Sequence, residues 1–252
     1  MADQLVVVMA QVNLLVGDIE GNTERIIRFS QEAVTRIDAD LVVFPELAIT
    51  SYPPDDLLLR PALQERVDHA LLSIYQADIP TALVIGHPLH DQGQLFNAIS
   101  VISNGQCIAR YYKQNLPNYQ VFDEQRYFVA GSAPCLASIK GLTVAFTICE
   151  DLWHESPVQQ VFSANADLLI NINASPFSKH KLEQRIDLLK QRSRQAGAPI
   201  VYVNLVGGQD ELVFDGFSLV ADAEGNVCVP GPGFCEALIP VTFDRVPGKP
   251  IA

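Results

Sequence analysis

Short apolar runs alternate with longer amphipathic segments along this chain, and that alternation most restricts the folds open to it. Each apolar run has the length of a strand, is rich in Val, Ile or Leu, and is bounded by polar residues, glycine or proline. Such runs are typical of strands that are buried on both faces of a sheet. The predicted buried strands are residues 5–10, 41–44, 83–85, 143–149, 168–172 and 200–206.

Three of the intervening segments have helical spacing. In residues 22–37 the apolar side chains fall on one side, and Asn22 is suited to cap the helix. Pro61 suits the first position of the next one. The predicted helices are residues 22–37, 61–76 and 181–196.

Two hairpins complete the pattern. Residues 95–103 and 107–112 flank Asn104-Gly105, a strong hairpin signal, and residues 217–222 and 227–229 flank a second turn. Strands, helices and hairpins together predict an α/β layered fold. With no linker visible, we expect a single domain over residues 1–252, whose last residues, 240–252, lose periodicity and are predicted to form a linker or a fraying end.

Composition excludes several classes of function. With 48% hydrophobic and 18% charged residues the chain is too apolar for disorder, and its net charge of −12 argues against nucleic acid and anionic membranes as partners. The five cysteines form no CxxC pair, which argues against a disulfide framework or a structural zinc site. No apolar run approaches the roughly 18 residues of a membrane span, and the start lacks a signal pattern. We therefore expect a cytoplasmic protein.

Cys149 is the first candidate for chemistry. It ends a predicted strand and precedes a polar turn, and the carboxyl ends of strands are where sites assemble in α/β folds. A nucleophile is one interpretation of this cysteine. The other is a small hydrophobic residue that completes a core strand, the commoner role of a free cysteine.

Glu46 and Lys113 also follow predicted strands. Glu46 comes after Pro45, where partial shielding from water would suit a general base, although a solvated turn glutamate fits equally well. Lys113 follows a hairpin strand and is by itself an ordinary edge charge. If it lay near Cys149, its charge would lower the pKa of the thiol and could stabilise an oxyanion.

Other kinds of active site lack support. None of the five histidines is an obvious base, and there is no HExxH, P-loop or GxGxxG sequence. Thiol chemistry without a metal or cofactor is therefore the sharpest hypothesis from the residues alone.

The order Glu46, Lys113, Cys149, each at a strand end, resembles the catalytic triad of the nitrilase superfamily of carbon–nitrogen hydrolases. The surrounding sequences resemble, more specifically, the glutaminase domains of glutamine-dependent NAD synthetases. Ser51 departs from that pattern, which more often has glycine there. The matching segments are FPEL at 44–47, YPPDDLL at 52–58, YKQNLPNY at 112–119, VFDEQRYF at 121–128, ICEDLW at 148–153 and NASPF at 173–177.

The resemblance implies a four-layer α-β-β-α sandwich and a cysteine amidohydrolase. Cys149 would attack the side-chain amide of glutamine, and Glu46 would accept the thiol proton and pass it to ammonia. Lys113 and a backbone N–H would stabilise the oxyanion. The product of this step would be a glutamyl thioester, which water then hydrolyses.

Substrate contacts are implied for Tyr119, Ser175 and Lys181. Glu124 is a further candidate, with two roles open: it holds Lys113 in place, or it meets the α-amino group of glutamine. An ordinary surface glutamate is the competing interpretation.

The resemblance also implies partners. In the family a synthetase domain follows, which uses ATP and Mg²⁺ to amidate deamido-NAD; its Ser-Gly-Gly-type loop is absent from this chain, so we expect no cofactor for the glutaminase step. A homo-oligomer is expected as well. Two other functions remain open: a stand-alone amidase for another small amide, and a non-catalytic oligomerisation or regulatory domain.

Overall fold

Two six-stranded sheets form the centre of the molecule, and helices flank them. The computed structural model describes residues 3–245. The strands, numbered in chain order, are β1 (Asp3–Gln11), β2 (Leu41–Val43), β3 (Ala82–Asp91), β4 (Gln94–Ser103), β5 (Gln106–Tyr112), β6 (Leu136–Ile139), β7 (Leu142–Ile148), β8 (Leu168–Asn173), β9 (Ile200–Asn204), β10 (Val206–Gln209), β11 (Leu212–Asp215), β12 (Leu219–Ala221), β13 (Val227–Cys228) and β14 (Ala237–Arg245). The helices are α1 (Ile19–Ile37), α2 (Pro61–Gln76), α3 (Glu155–Ser163) and α4 (Lys181–Ala196).

The two sheets share one plan. The first has the order β14-β1-β2-β3-β4-β5 and the second β13-β12-β9-β8-β7-β6. In each, three central strands run parallel and the outer strands pair antiparallel. The carboxyl ends of the parallel strands therefore gather at one edge of each sheet, where sites form in α/β folds.

Alternating side chains divide the core into three layers. In β2, Val42 packs towards α1 and α2, whereas Leu41 and Val43 face the second sheet. In β8, Leu169 packs towards α3 and α4, whereas Ile170 faces the first sheet. Because both faces of each sheet are covered, the strands read as continuous apolar runs. The result is the predicted four-layer α-β-β-α sandwich.

The predicted helices are confirmed, with one change at the start of α1. That helix begins at Ile19, and its cap is Asp18, whose side chain accepts from the Gly21 N–H at 3.1 Å. Asn22 is instead buried within the helix, where its amide bonds to the backbone of Leu15 and Ile49. None of the helices described has both the length and the apolarity of a membrane span.

The predicted loose tail is wrong over residues 240–245, which form most of β14 and pair with β1. Pro240 breaks the sequence pattern, but β14 is the edge strand, where a missing N–H costs little. The rest of that tail, residues 246–252, lies outside the described residues. Strands β6, β10 and β11 and helix α3 were not predicted. Pro157 obscures α3, although it lies in the first turn, where proline is tolerated.

Candidate active site

Three strand ends bring together the residues predicted to carry chemistry. Glu46 follows β2, Lys113 follows β5, and Cys149 follows β7. Lys113 Nζ donates to Glu46 Oε1 at 2.6 Å, and both side chains are almost completely buried. The charges of both groups act on the Cys149 thiol. A carboxylate, an ammonium group and a thiol thus occupy one buried site between the two sheets.

Glu46 is held by neighbours from both sheets. Asn97 in β4 donates its side-chain amide to Oε1 at 2.8 Å, and the Ala174 backbone N–H donates to Oε2 at 3.0 Å. Each carboxylate oxygen therefore has a fixed partner, which restricts the rotation of the group. Gly86 in β3 allows this arrangement, because a Cβ there would lie 2.6 Å from the Leu47 nitrogen.

Glu124 contacts Lys113 directly. Its Oε1 accepts from Lys113 Nζ at 2.7 Å and from the Tyr52 hydroxyl at 3.1 Å. This contact corresponds to the first of the two roles that the sequence left open for Glu124, which is to hold Lys113 in place. Burial raises the pKa of Glu124 to about 7, and the charge of Glu46 adds to this while Lys113 opposes it.

The ammonium group of Lys113 stays charged. Burial by itself would lower its pKa, but the carboxylates of Glu124 and Glu46 outweigh burial and hold the pKa well above its ordinary value. The site therefore has a fixed positive charge between two carboxyl groups. Such a charge can stabilise an oxyanion where it develops.

Cys149 is a protonated thiol at rest. Burial raises its pKa well above the ordinary value, the charge of Glu46 raises it further, and Lys113 lowers it. Lys113 thus lowers the pKa of the thiol, as the sequence led us to expect, but by less than burial raises it. A thiol of this kind needs a base to become a nucleophile. The backbone at Cys149 has φ +43°, in the left-handed region that non-glycine residues seldom adopt.

The predicted substrate residues lie in two settings. Tyr119 is half-exposed and donates its hydroxyl to Glu150 Oε2 at 2.9 Å, and Lys181 Nζ lies 4.3 Å from the centroid of the Trp153 ring. Ser175 is buried. Tyr119 and Lys181 can meet a ligand from the solvent side, whereas Ser175 is part of the wall.

Lys181 and Glu150 place opposite charges next to Cys149. Burial lowers the pKa of Lys181, the Arg185 guanidinium lowers it further, and the charge of Glu150 opposes that change. The Glu150 side chain is 14% exposed. Glu150 lies in the motif ICEDLW, next to a second acidic residue, Asp151. Nothing in the sequence assigned Glu150 to the substrate.

Residues 6–247 match the family model described as carbon-nitrogen hydrolase. The chain belongs to the carbon–nitrogen hydrolase family. This match covers nearly the whole chain, and it confirms the resemblance noted from the order Glu46, Lys113, Cys149.

Among members of this hydrolase family, the chain is similar to glutamine-dependent NAD(+) synthetases. It is 43% identical over 244 residues to that of Xanthomonas campestris pv. campestris and 39% identical over 239 residues to that of Aquifex aeolicus. These alignments cover 96% and 94% of this chain but only 44% and 42% of the relatives. The chain thus spans less than half the length of these relatives.

Solved structures agree with these relatives. The glutamine-dependent NAD+ synthetase of Acinetobacter baumannii, in complex with ADP, superposes with a TM-score of 0.93 at 37% identity, over 96% of this chain and 46% of that one. An amidase from Nesterenkonia sp. superposes with a TM-score of 0.86 at 24% identity, over 95% of this chain and 90% of that one. At that identity the amidase shows the shared fold alone.

Sequence reasoning missed the residues that fix the wall of this hydrolase site. Arg185 in α4 is fully buried and donates to Asp215 at 2.8 Å, to the Ser175 carbonyl at 2.8 Å and to the Ser175 hydroxyl at 3.2 Å. Asn204 accepts from the Ser175 N–H at 2.9 Å. An arginine on the apolar side of a predicted helix was the available signal.

Two further observations concern places where a metal ion or another ligand could bind. Within residues 3–245, no group of three or more His, Cys, Asp and Glu side chains is arranged to hold a metal ion. An apolar groove of 670 Å³ lies elsewhere, between the start of α2 and the β3–β4 hairpin, and Leu59, Tyr127 and Val129 line it. Grooves of this kind often bind ligands, but this one contains none of the reactive groups.

Proposed function

We propose that the chain hydrolyses the side-chain amide of glutamine to glutamate and ammonia through a thioester on Cys149. The observation that carries this proposal is the buried Glu46–Lys113 ion pair in the same buried site as the Cys149 thiol. It supplies a base for the nucleophile and a cation for the oxyanion in one water-excluded place. Those are the two requirements of acyl transfer by cysteine.

The reaction begins with proton transfer from Cys149 Sγ to the Glu46 carboxylate. As the proton leaves, sulfur bonds to the amide carbon, and the carbonyl oxygen becomes an oxyanion beside Lys113 Nζ. The carbon–nitrogen bond then breaks, and Glu46 returns its proton to the departing nitrogen, which leaves as ammonia. A water then gives a proton to Glu46, its oxygen bonds to the carbonyl carbon, and the carbon–sulfur bond breaks with reprotonation of Cys149.

Glutamine fits the charges at the mouth of the site. The Lys181 ammonium group suits an α-carboxylate, and the Glu150 carboxylate with the Tyr119 hydroxyl suits an α-ammonium group. Glu124 is too deeply placed for that task, since its Oε1 is bonded to Lys113 and Tyr52. The names of the relatives, glutamine-dependent NAD(+) synthetases, support the same substrate.

The ammonia would serve a synthetase domain. The relatives extend over more than twice the length that this chain matches, and their names support an amidation that makes NAD. In this proposal that domain lies in the same polypeptide and uses ATP and Mg²⁺ on deamido-NAD, while the hydrolytic step needs no cofactor. We further propose a cytoplasmic homo-oligomer.

Glutamate release from glutamine tests the proposal. Cys149→Ala should abolish release, and Cys228→Ala, a change at an exposed cysteine, should leave it unchanged. Retention of activity in Cys149→Ala would reject the nucleophile. The Cys228→Ala variant, purified and assayed in the same way, controls for the loss of a cysteine outside the site.

A panel of amides separates the other two functions. A stand-alone amidase would prefer amides that lack an α-amino acid group. The fold shared with the Nesterenkonia amidase leaves this function open. Lys181→Met should then change nothing, whereas a glutaminase should lose affinity for glutamine. A non-catalytic domain would hydrolyse no amide in the panel.

A further inference from the structure

Asp151 is a fully buried carboxylate that binds the segment following Lys113. Its Oδ1 accepts from the backbone N–H of Gln114 at 3.0 Å and from that of Asn115 at 2.7 Å. The Asn115 side-chain amide donates to the same oxygen at 3.1 Å. Three donors from the two residues after Lys113 thus converge on one atom.

The other oxygen of Asp151 binds the strands that precede the reactive groups. Oδ2 accepts from the Tyr111 hydroxyl at 2.8 Å, in β5, and from the Ile148 N–H at 3.1 Å, at the end of β7. Ile148 directly precedes Cys149, and Tyr111 comes two residues before Lys113. One carboxylate therefore joins residues on either side of Lys113 to the backbone that carries the thiol.

We propose that Asp151 is a positioning residue that holds the Cys149 thiol in place relative to the Lys113 ammonium group. The proposal rests on the acyl transfer proposed above, for which sulfur and ammonium must lie on either side of one carbonyl group. Asp151 touches neither the substrate nor Cys149 Sγ in this role. It acts through the five hydrogen bonds that connect the ends of β5 and β7.

The donor set requires two acceptor oxygens. Four of the five groups are N–H donors that cannot accept, so both oxygens of Asp151 must act as acceptors. An asparagine has one acceptor oxygen, and its NH₂ group would face at least one backbone N–H. Loss of that bond frees either the segment after Lys113 or the backbone before Cys149. The left-handed backbone at Cys149, φ +43°, persists only where its surroundings hold it.

Acylation of Cys149 by p-nitrophenyl acetate tests this role without glutamine. Sulfur bonds to the acetyl carbon, p-nitrophenolate leaves, and the thiol proton passes to the base, so the burst of p-nitrophenolate reports the first half-reaction. The acetyl group is located by mass on the tryptic peptide 141–179, in which Cys149 is the only cysteine. Asp151→Asn should slow acylation on the order of 30-fold, since hydrogen bonds to a charged group are each worth a factor of this size.

Asp167→Asn is the matched control. Asp167 accepts from the Thr143 N–H at 2.7 Å, so it holds the same strand, β7, at the end away from Cys149. We expect acylation within about twofold of the wild type for this variant, because the reactive groups keep their anchors. For glutamine hydrolysis, Asp151→Asn should lower kcat by a similar factor and leave KM nearly unchanged, because Lys181 and Glu150 still bind the substrate.

Tyr111→Phe decides the matter if Asp151→Asn does not fold. It removes one hydroxyl from Oδ2 and keeps the ring in the core, and we expect acylation about fivefold slower. The proposal is overturned if the folded Asp151→Asn or Tyr111→Phe enzyme acylates at the wild-type rate, or if Asp167→Asn slows acylation as much. A wild type that acylates but does not hydrolyse glutamine would reject the proposed substrate and leave the role of Asp151 intact.

Discussion

Lys113→Met isolates the electrostatics of the site. Its Nζ lies 2.6 Å from Glu46 Oε1 and 2.7 Å from Glu124 Oε1, so these two oxygens are at most about 5.3 Å apart. Without the cation, two buried carboxylates would face each other at that distance, at a cost of about 3 kcal/mol for an effective dielectric constant near 20. Proton uptake by one carboxylate relieves this repulsion and takes the place of the lost ammonium group.

The proton makes the cost of Lys113→Met depend on pH. The pKa of Glu124 is already about 7 with Lys113 present, and removal of the cation that opposes this rise moves the pKa higher. A carboxyl whose pKa is raised in the folded state stabilises the fold at low pH, and that stability is lost as pH increases towards the folded pKa. One extra proton bound on folding makes the loss of stability grow by about 1.4 kcal/mol per pH unit. The wild type also binds this proton below the Glu124 pKa of about 7, so the two proteins differ in slope mainly above that pH. Between pH of about 7 and about 8.5 the difference from wild type should increase by about 1.5 kcal/mol.

Urea denaturation of both proteins at the two pH values measures this difference. Lys140→Met is the control, because Lys140 is an exposed lysine bonded to Asp40, and surface pairs contribute about 1 kcal/mol or less. Its effect should not increase with pH. An equal loss of stability for Lys113→Met at both pH values, or a greater loss at the lower one, would refute the reasoning.

Two other predictions concern neighbouring residues in β3. Burial lowers the pKa of His87 to about 4, so the stability from its neutral ring is present above pH of about 6.5 and is lost as pH falls towards 4. His87 Nε2 lies 2.8 Å from the Ser100 hydroxyl, and His87→Gln keeps a polar group there. This variant should lack that part of acid destabilisation in denaturation curves at several pH values; an unchanged acid limb would contradict this. Gly86→Ala forces a Cβ within 2.7 Å of the Pro45 carbonyl and so displaces Glu46, and kcat for glutamine should fall at least about tenfold. Activity equal to wild type would show that the loop accommodates the methyl group.

The sequence predicted most strands and helices well because their determinants are local. Buried strands and hairpin turns each depend on a few consecutive residues, and α2 and α4 begin and end as predicted. Strand β14 was missed because Pro240 conceals its pattern. Tolerance of proline there depends on its place at the edge of the sheet, which is a property of the assembled fold.

The site was predictable only in part. Strand-end positions and the family resemblance indicated Glu46, Lys113 and Cys149, and the structure joins the first two by a hydrogen bond. Asn97 lies within a strand and is indistinguishable there from any other polar residue until β4 is placed beside Glu46. Whether the pKa of Cys149 is raised or lowered overall also depends on burial, which is set by the packing of two sheets.

Labelling with a chloromethyl ketone analogue of glutamine tests the central claim most directly. The reagent carries the amino acid head of glutamine and alkylates the sulfur that would attack the amide. We predict one adduct, on the peptide 141–179 at Cys149, whose formation excess glutamine prevents. Modification of the exposed Cys228 and Cys235 with Cys149 left unlabelled would contradict the assignment of Cys149 as the glutamine-directed nucleophile.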